Sequence, residues 1–424
     1  MQQQQSRELS NMVGENKNIP ELRFQGFSGA WEKRKLGDLG KTFTGLSGKT
    51  KEDFGHGDAR FVTYMNVYLN PIASEKGLER VELDSKQHLV QYGDVFFTTS
   101  SETPEEVGMS SVWTFKLPNI YLNSFTFGYR PTYHFDLNYL AFMLRTEIVR
   151  KDIKLLAQGV SRFNISKTKM MDIQVPIPEK DEQIKIGTFL KTLDNLIAVN
   201  QRKLNTLKKL KKSYLQKMFP QNGSEFPELR FAGFTTPWEK RKLGDLAGQT
   251  YGGGTPKTNV NRYWEGNIPW IQSSNLNNDD VQNIKINKFI SDDAIQDSAV
   301  KLVPADSIAI VTRVGVGKLA LVHQSFATSQ DFLSLSHLNA DTQFSLYAIY
   351  KMMKKEASQT QGTSIKGITK NVLTNKILLV PHNLAEQAKV GSFFKSLDNR
   401  ITVNQRKLDA LKKLKQGYLQ KMFC

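Results

Sequence analysis

Two stretches of the chain carry apolar residues at alternating three- and four-residue steps. One runs Ile186, Leu190, Leu193, Ile197, Asn200, Leu204, Leu207, Lys211, Tyr214, Met218, and the other Val390, Phe394, Leu397, Ile401, Asn404, Leu408, Leu411, Lys415, Tyr418, Met422. That step keeps one narrow stripe facing a partner helix, which is coiled-coil spacing rather than the broad face of a core helix. It predicts two long helices that pair with each other. Pro178 with Glu179, Asp181 and Glu182 marks the first helix's start, where acidic groups meet the positive end of the dipole, and Pro220 stops it. Asn200 and Asn404 hold matching seam positions, where a buried amide penalises wrong registers. The alternative is that both reach solvent at the seam's edge.

The two helices are copies. Thr188–Phe219 returns as Ser392–Phe423 with 23 of 32 positions identical, and Pro20–Leu39 returns as Pro227–Leu246 with 16 of 20 identical. Shifts of 204 and 207 residues are far above the 20–50 residue period of stacked repeats, so a whole domain-plus-helix unit is duplicated. Between these blocks, Gly40–Lys180 and Ala247–Ala385 match only at scattered points, such as QGVSRFNIS from Gln158 against QGTSIKGIT from Gln361. Because a full domain separates the helices, an antiparallel pair is allowed. The expected order is a disordered lead (1–19), a first domain (20–180), a first spacer helix (181–220), a second domain (221–385) and a second spacer helix (386–424).

Length and composition narrow the class. At 424 residues the chain is too long for one core, and no apolar run approaches the length of a bilayer span. No signal-peptide core follows Met1, and the only cysteine is Cys424, so a reducing cytoplasm is expected and a disulfide framework is not. Lys and Arg outnumber Asp and Glu by 58 to 41, an excess that favours polyanions such as nucleic acid by releasing their counterions. Lys208, Lys209, Lys211 and Lys212 crowd the first helix, either as a solvated face or against DNA or a partner protein.

Catalytic motifs fail on particular residues. GLSGKT (45–50) has Phe43 where a phosphate loop needs its first glycine, and Gly317-Lys318 lacks the following Ser/Thr. The six histidines form no HExxH pair, so no metal site is implied. The nearest approach to the Asn-Pro-Pro-aromatic tetrapeptide of amino-methyltransferases is Asn70-Pro71-Ile72. What remains are polar, glycine-bearing loops beside strand-like runs, Phe96–Gly108 in the first half and Tyr251–Leu276 in the second. Their Arg, Lys, Asn, Gln, Ser and Thr are the side chains that contact phosphates or read base edges. Ordinary surface loops share that composition.

Taken together, the duplicated WEKRKLGDL segments, the GGGTP…YWEGNIPWI run, the QG(V/T)S segments, the proline followed by Glu182-Gln183 or Glu386-Gln387, and the LDN…NQRKL…LKKLK…YLQKMF helices resemble the DNA specificity subunit of type I restriction-modification enzymes over residues 20–423. The resemblance implies a mixed α/β (α+β) fold in which two target-recognition domains are joined and separated by two long antiparallel coiled-coil helices with pseudo-twofold symmetry. It implies a non-catalytic protein that binds double-stranded DNA with a split target site, each domain reading one half. A 32-residue helix spans about 48 Å, somewhat more than one duplex turn of about 34 Å. Two methyltransferase subunits and two restriction (motor-nuclease) subunits are the implied partners. S-adenosylmethionine, ATP and magnesium belong to those partners and not to this chain.

Carried onto matching loops, the resemblance points to Thr44, Ser47, Lys49, Tyr64, Asn66, Thr99, Ser100, Ser101, Ser161 and Arg162 in the first domain. In the second it points to Tyr251, Gly253, Thr255, Lys257, Gln272, Ser273, Asn275, Arg313, Ser329, Gln330, Ser364 and Lys366, with Trp270 set aside as scaffold. The first domain departs from the pattern by having TFTGLSGKT where the second has GGGTP. Two rivals stay open at this point: a stand-alone DNA-binding regulator, and a nuclease or methyltransferase acting alone.

Overall fold

The computed structural model describes residues 18–221, 223–359 and 367–424. Among the described residues the chain folds into two compact units, 18–200 with 408–424, and 201–407.

The first unit rests on a four-stranded antiparallel sheet in the order Gly40–Thr44, Thr126–Pro131, Val95–Thr98, Ser110–Val112. The VFFT strand is buried on both faces, as an uninterrupted apolar run requires. Val95 and Phe97 face a core containing Trp31, Leu140, Ile186 and Leu190, while Phe96 faces a second core with Val62, Ile120 and Trp113. That is the two-residue alternation of a strand. A three-stranded sheet sets Phe54–Val62 antiparallel to Leu78–Val81 and parallel to Ile120–Leu122.

The second unit repeats this topology. Its four-stranded sheet runs Ala247–Gly252, Phe332–Leu338, Ser307–Val311, Leu319–Val322. In its three-stranded sheet Ile268–Ile271 again has one antiparallel neighbour, Phe289–Ile290, and one parallel neighbour, Ala327–Thr328. The near-identical WEKRKLGDL segments have a common task. Glu32–Lys35 pairs with Gln174–Ile177, and Glu239–Lys242 pairs with Ile377–Val380, in the same register just before each long helix begins.

The long helices span Lys180–Lys217 and Leu384–Lys421, 38 residues each, or about 57 Å. Each contributes to both units. In the first unit Phe189 meets Tyr418 and Asp194 meets Lys415; in the second Tyr214 meets Phe393 and Lys211 meets Asp398. As one helix number rises the other falls, so the segments run antiparallel within each unit. Ile186, Leu190, Leu193, Leu204, Leu207, Val390, Phe394, Leu397 and Leu408 are buried along the seam, with Ile197, Ile401 and Leu411 half-buried. Asn200 and Asn404 are buried too, but each Nδ2 donates to the carbonyl four residues earlier in its own helix, Leu196 and Arg400, at 2.7 Å. The cross-helix polar contacts in register are the Asp–Lys pairs instead.

A buried carboxylate ties the start of each long helix to its unit. Arg23 donates to both Glu182 oxygens at 2.6 and 2.7 Å, and Trp31 Nε1 adds a third bond at 3.1 Å. Arg230 and Trp238 do the same to Glu386 at 2.7, 2.8 and 3.2 Å. A bidentate guanidinium plus an indole N–H satisfies a charge that burial alone would make costly. The next residues, Gln183 and Gln387, accept the N–H of Asp136 and Asp341, which cap the domain helices beginning at Leu137 and Thr342. Gly187 and Gly391 permit this approach, since a Cβ at either would lie 2.5 Å from a backbone nitrogen, that of Tyr139 or Phe344. Among the described residues no helix is long and apolar enough to cross a membrane.

Candidate nucleic-acid interface

Each unit bears an open cleft gathered from separated segments: in the first, residues after the Phe54–Val62 strand, residues following VFFT, Phe125 and the pair Ser161-Arg162; in the second, residues from the stretch 255–272, residues 287–289 and the turn at 329–331. In the first unit this cleft is about 780 Å³ and takes in Tyr64, Ser100, Ser101, Ser161 and Arg162. Tyr64 stacks on Tyr68 with ring centres 6.1 Å apart and donates its hydroxyl to the Ser100 carbonyl at 2.8 Å. Tyr68 and Ser101 both donate to Glu106, at 2.5 and 3.1 Å, and these bonds hold its carboxyl below the usual carboxylate range. Sequence reading did not single out Tyr68, Glu106 or Phe125, which also line the cleft.

Two arginines of the domain's helical segment hold the backbone of segments that contribute to this cleft. Arg145 donates to the carbonyls of Ser110, Val67 and Tyr68, and Arg150 to those of Gly108, Glu105 and Val107. Burial, with Arg150 nearby, brings the Arg145 guanidinium down to about 10. These basic groups are consumed inside the fold and are not free for phosphate.

The second unit's cleft is about 660 Å³, with Thr255, Gln272, Ser329 and Gln330 on its walls. Thr255 Oγ1 donates to Gln330 Oε1 at 2.7 Å. Trp264 and Trp270 meet edge to face at 5.0 Å, and Lys288 lies 5.8 and 5.6 Å from their ring centres. Trp270, expected as scaffold, does hold the fold by donating to the Gly254 carbonyl at 3.0 Å, and it also lines the cleft. Trp264, Lys288 and Phe289 were not anticipated. Gly253 belongs to the wall for want of room: a Cβ there would collide with the Ser329 carbonyl.

Several expected contact residues are spent elsewhere. Asn66 is 4 % exposed and gives its amide to the carbonyls of Ser74 and Gly77 at 2.8 and 3.0 Å. Asn275, 5 % exposed, gives its amide to the Lys285 carbonyl and to Asn287 Oδ1, both at 2.8 Å. Both close the turn that follows the strand and present nothing to a ligand. Lys49 is ion-paired to Asp53 and Asp84 at 3.5 and 3.3 Å, which neutralises it as a phosphate contact. The Thr99 backbone N–H and hydroxyl both donate to the Phe125 carbonyl, as those of Thr312 do to Asp331. Thr99 is therefore the scaffold counterpart of Thr312, and the next residue is Ser100 in one unit, 8 % exposed, and Arg313 in the other, with its side chain 62 % exposed.

The remainder lie away from the clefts or on their edges. Thr44 is exposed at a strand end, and the backbone N–H of Ser47 donates to Gln87. Tyr251 is half-buried against the second unit's core, the Ser273 carbonyl accepts from Lys318, and Lys257 is exposed with its carbonyl accepting from Trp264. Arg313 is 62 % exposed with its Nε 4.0 Å from Asp331, a cleft residue. Ser364 and Lys366 lie outside the described residues.

The comparisons with known proteins agree with this duplicated geometry. The type I restriction modification DNA specificity domain matches the chain twice, over residues 29–209 and 235–413. A putative type I restriction enzyme MjaX specificity subunit from Methanocaldococcus jannaschii is 24 % identical over 405 residues, covering 91 % of each chain. The EcoR124I/EcoR124II specificity subunit of Escherichia coli is 29 % identical over 289 residues, 63 % of this chain and 65 % of that one. Among solved structures, the S subunit of the type I restriction-modification system of M. genitalium superposes with a TM-score of 0.63 at 15 % identity, covering 96 % of this chain and 99 % of that one. With both of its units matched and its repeated fold shared, the chain belongs to the type I restriction modification DNA specificity domain family, and carries that domain twice.

Proposed function

We propose that this protein recognises a bipartite DNA target, one half through each unit, and directs partner methyltransferase and restriction subunits to it without catalysis of its own. The observation that carries this reading is the contrast between scaffold and cleft. Positions that hold each unit's own frame are matched residue for residue: Trp31 with Trp238, Glu182 with Glu386, Asn66 with Asn275, Thr99 with Thr312. The clefts at equivalent places are lined differently, by Tyr64, Ser100 and Arg162 in one and Thr255, Trp264 and Gln330 in the other. Two readers of different sequences on one duplicated frame require that pattern, because base contacts specify while the frame only positions.

The basic surplus of the chain supplies the sequence-independent part of DNA affinity. S-adenosylmethionine, ATP and magnesium are assigned to the partner subunits, two of each kind, and the cytoplasm is the compartment where genomic DNA and those subunits meet. The test is coexpression with the cognate methyltransferase, followed by mapping of methylated adenines. A split site is expected, and exchanging residues 40–180 for those of another such subunit changes one half of it only. Absence of a complex and of methylation overturns the reading, and a change in both halves overturns the division of labour between units.

A further inference from the structure

Three side chains at the second unit's cleft can donate to a ligand: Gln330 and Ser329 on its wall, and Arg313 beside the cleft residue Asp331. Gln330 is exposed, and its Oε1 already accepts the Thr255 hydroxyl at 2.7 Å, so the amide turns its Nε2 protons outward. Ser329 is 5 % exposed, lines the cleft, and its hydroxyl has no partner among the described residues. A hydroxyl left without a partner in a buried position costs stability unless a ligand supplies one. Arg313 holds its guanidinium 62 % exposed beside Asp331, too far at 4.0 Å for a full hydrogen bond. Lys288 covers the indoles of Trp264 and Trp270 on another wall.

Resting on the proposed function above, we infer that this cleft selects a guanine in the half-site read by the second unit, with Arg313 and Gln330 as the reading donors. Guanine is the base whose major-groove edge offers two acceptors side by side, O6 and N7, and a guanidinium fork matches them in bidentate fashion. Adenine and cytosine place an amino donor at that edge, which the outward-turned amide and the guanidinium both oppose. Thymine offers a single acceptor beside a methyl group. Asp331, at the same place, discourages a phosphate and so leaves Arg313 for a base edge. The first unit has Ser100 where the second has Arg313, followed by Glu102, Glu105 and Glu106, so the preference is specific to one half.

The test uses the full chain in complex with its methyltransferase on DNA with randomised half-sites, reading the methylated products. The half belonging to the second unit is the one left unchanged when residues 40–180 are exchanged. That half is expected to carry a fixed guanine. Arg313→Ala should lower its selection about 10- to 100-fold without altering the other half, and Gln330→Glu should move preference toward cytosine. Replacing the guanine with 7-deazaguanine, which removes the N7 acceptor, should weaken binding by the native complex and not by the Arg313→Ala complex. If Arg313→Ala abolishes methylation altogether, the Gln330→Glu and 7-deazaguanine measurements decide. A split site with no guanine in that half, or unchanged binding of 7-deazaguanine DNA by the native complex, overturns this inference and leaves the proposed function standing. No methylation by the native complex overturns both.

Discussion

Lys211 Nζ lies 2.6 Å from Asp398 Oδ1, a pair made across the two long helices with both side chains less than a tenth exposed. The pair is fully furnished: Lys211 also donates to the Asp279 carbonyl at 3.0 Å, and Tyr347 donates to the other Asp398 oxygen at 2.8 Å. Lys415 and Asp194 repeat it in the first unit at 2.5 Å. Removing one member strands a buried charge, whereas replacing both with apolar residues does not. Lys211→Met should therefore cost about 3–5 kcal/mol in chemical denaturation of the full chain. Lys211→Met with Asp398→Leu should recover most of that. Equal losses for the single and double variants would show that the loss is one of packing and not of charge.

The same pairs define a length. Seventeen positions separate Asp194 from Lys211, and likewise Asp398 from Lys415. Inserting four residues after both Lys209 and Lys413 keeps each pair in place and lengthens the intervening helix by about 6 Å. On the proposed function the two half-sites should stay the same while the gap between them grows, by about one or two base pairs. Mapping the methylated sites of the variant measures it, and an unchanged gap would deny the helices a spacing role.

Asn66 and Asn275 are predicted to behave as scaffold. Alanine at Asn66 leaves the Ser74 N–H without its acceptor, alanine at Asn275 leaves the Gln272 N–H and the Lys285 carbonyl without their partner, and either should destabilise its unit by about 1–3 kcal/mol, seen as a lowered midpoint of thermal unfolding. The methylated sequence should not change. Altered base preference without loss of stability would return these residues to the reading surface.

Lys351 offers a pH test within the second unit. Its ammonium donates to the carbonyls of Phe219 and Pro220 at 3.3 and 3.1 Å, and burial, reinforced by Lys355, brings its pKa down to about 8. An unfolded lysine titrates near 10.4. Between these values the unfolded chain holds a proton that the folded chain has released, so stability should rise with pH from about 8 to about 10.4. Lys351→Met should flatten that rise in denaturation measured across the window. A slope that persists in the variant assigns it to other groups.

Much of the frame was legible because it is written in period and repetition. The three-four spacing from Ile186 to Met218 required no knowledge of the partner, and the duplicated segments marked the two units before any strand was placed. The clefts were harder because each gathers residues remote in sequence: Thr255 and Gln330 touch across 75 positions. Polarity also misled at Asn66 and Asn275, since composition does not show whether an amide turns inward. A signal was nonetheless present. FVTYMNV and WIQSSNL place asparagine at the same offset after equivalent strands, and a residue common to two readers of different sequences serves the frame. Trp264, Lys288 and Phe289 carried no such mark, because no matching aromatic or basic residue stands at a recognisable offset in the first half.

Phe423 packs edge-on against Trp31 and stacks on Tyr139, inside a core that takes Met422, Tyr418, Leu419 and Cys424 from the end of the chain and otherwise residues before position 200. Phe219 occupies the equivalent place beside Trp238 and Phe344 in the second unit. The kinetic consequence is an asymmetry that the symmetric fold conceals. As the ribosome delivers the chain in order, the second unit already has Phe219 waiting when Trp238 emerges, while the first unit waits through some two hundred further residues before Phe423 can close its core. At about 5–20 residues per second that interval is on the order of 10 to 40 s. During it the apolar bed around Trp31 and Tyr139 stands open, making the first-made unit the later one to mature and the one most in need of protection from aggregation.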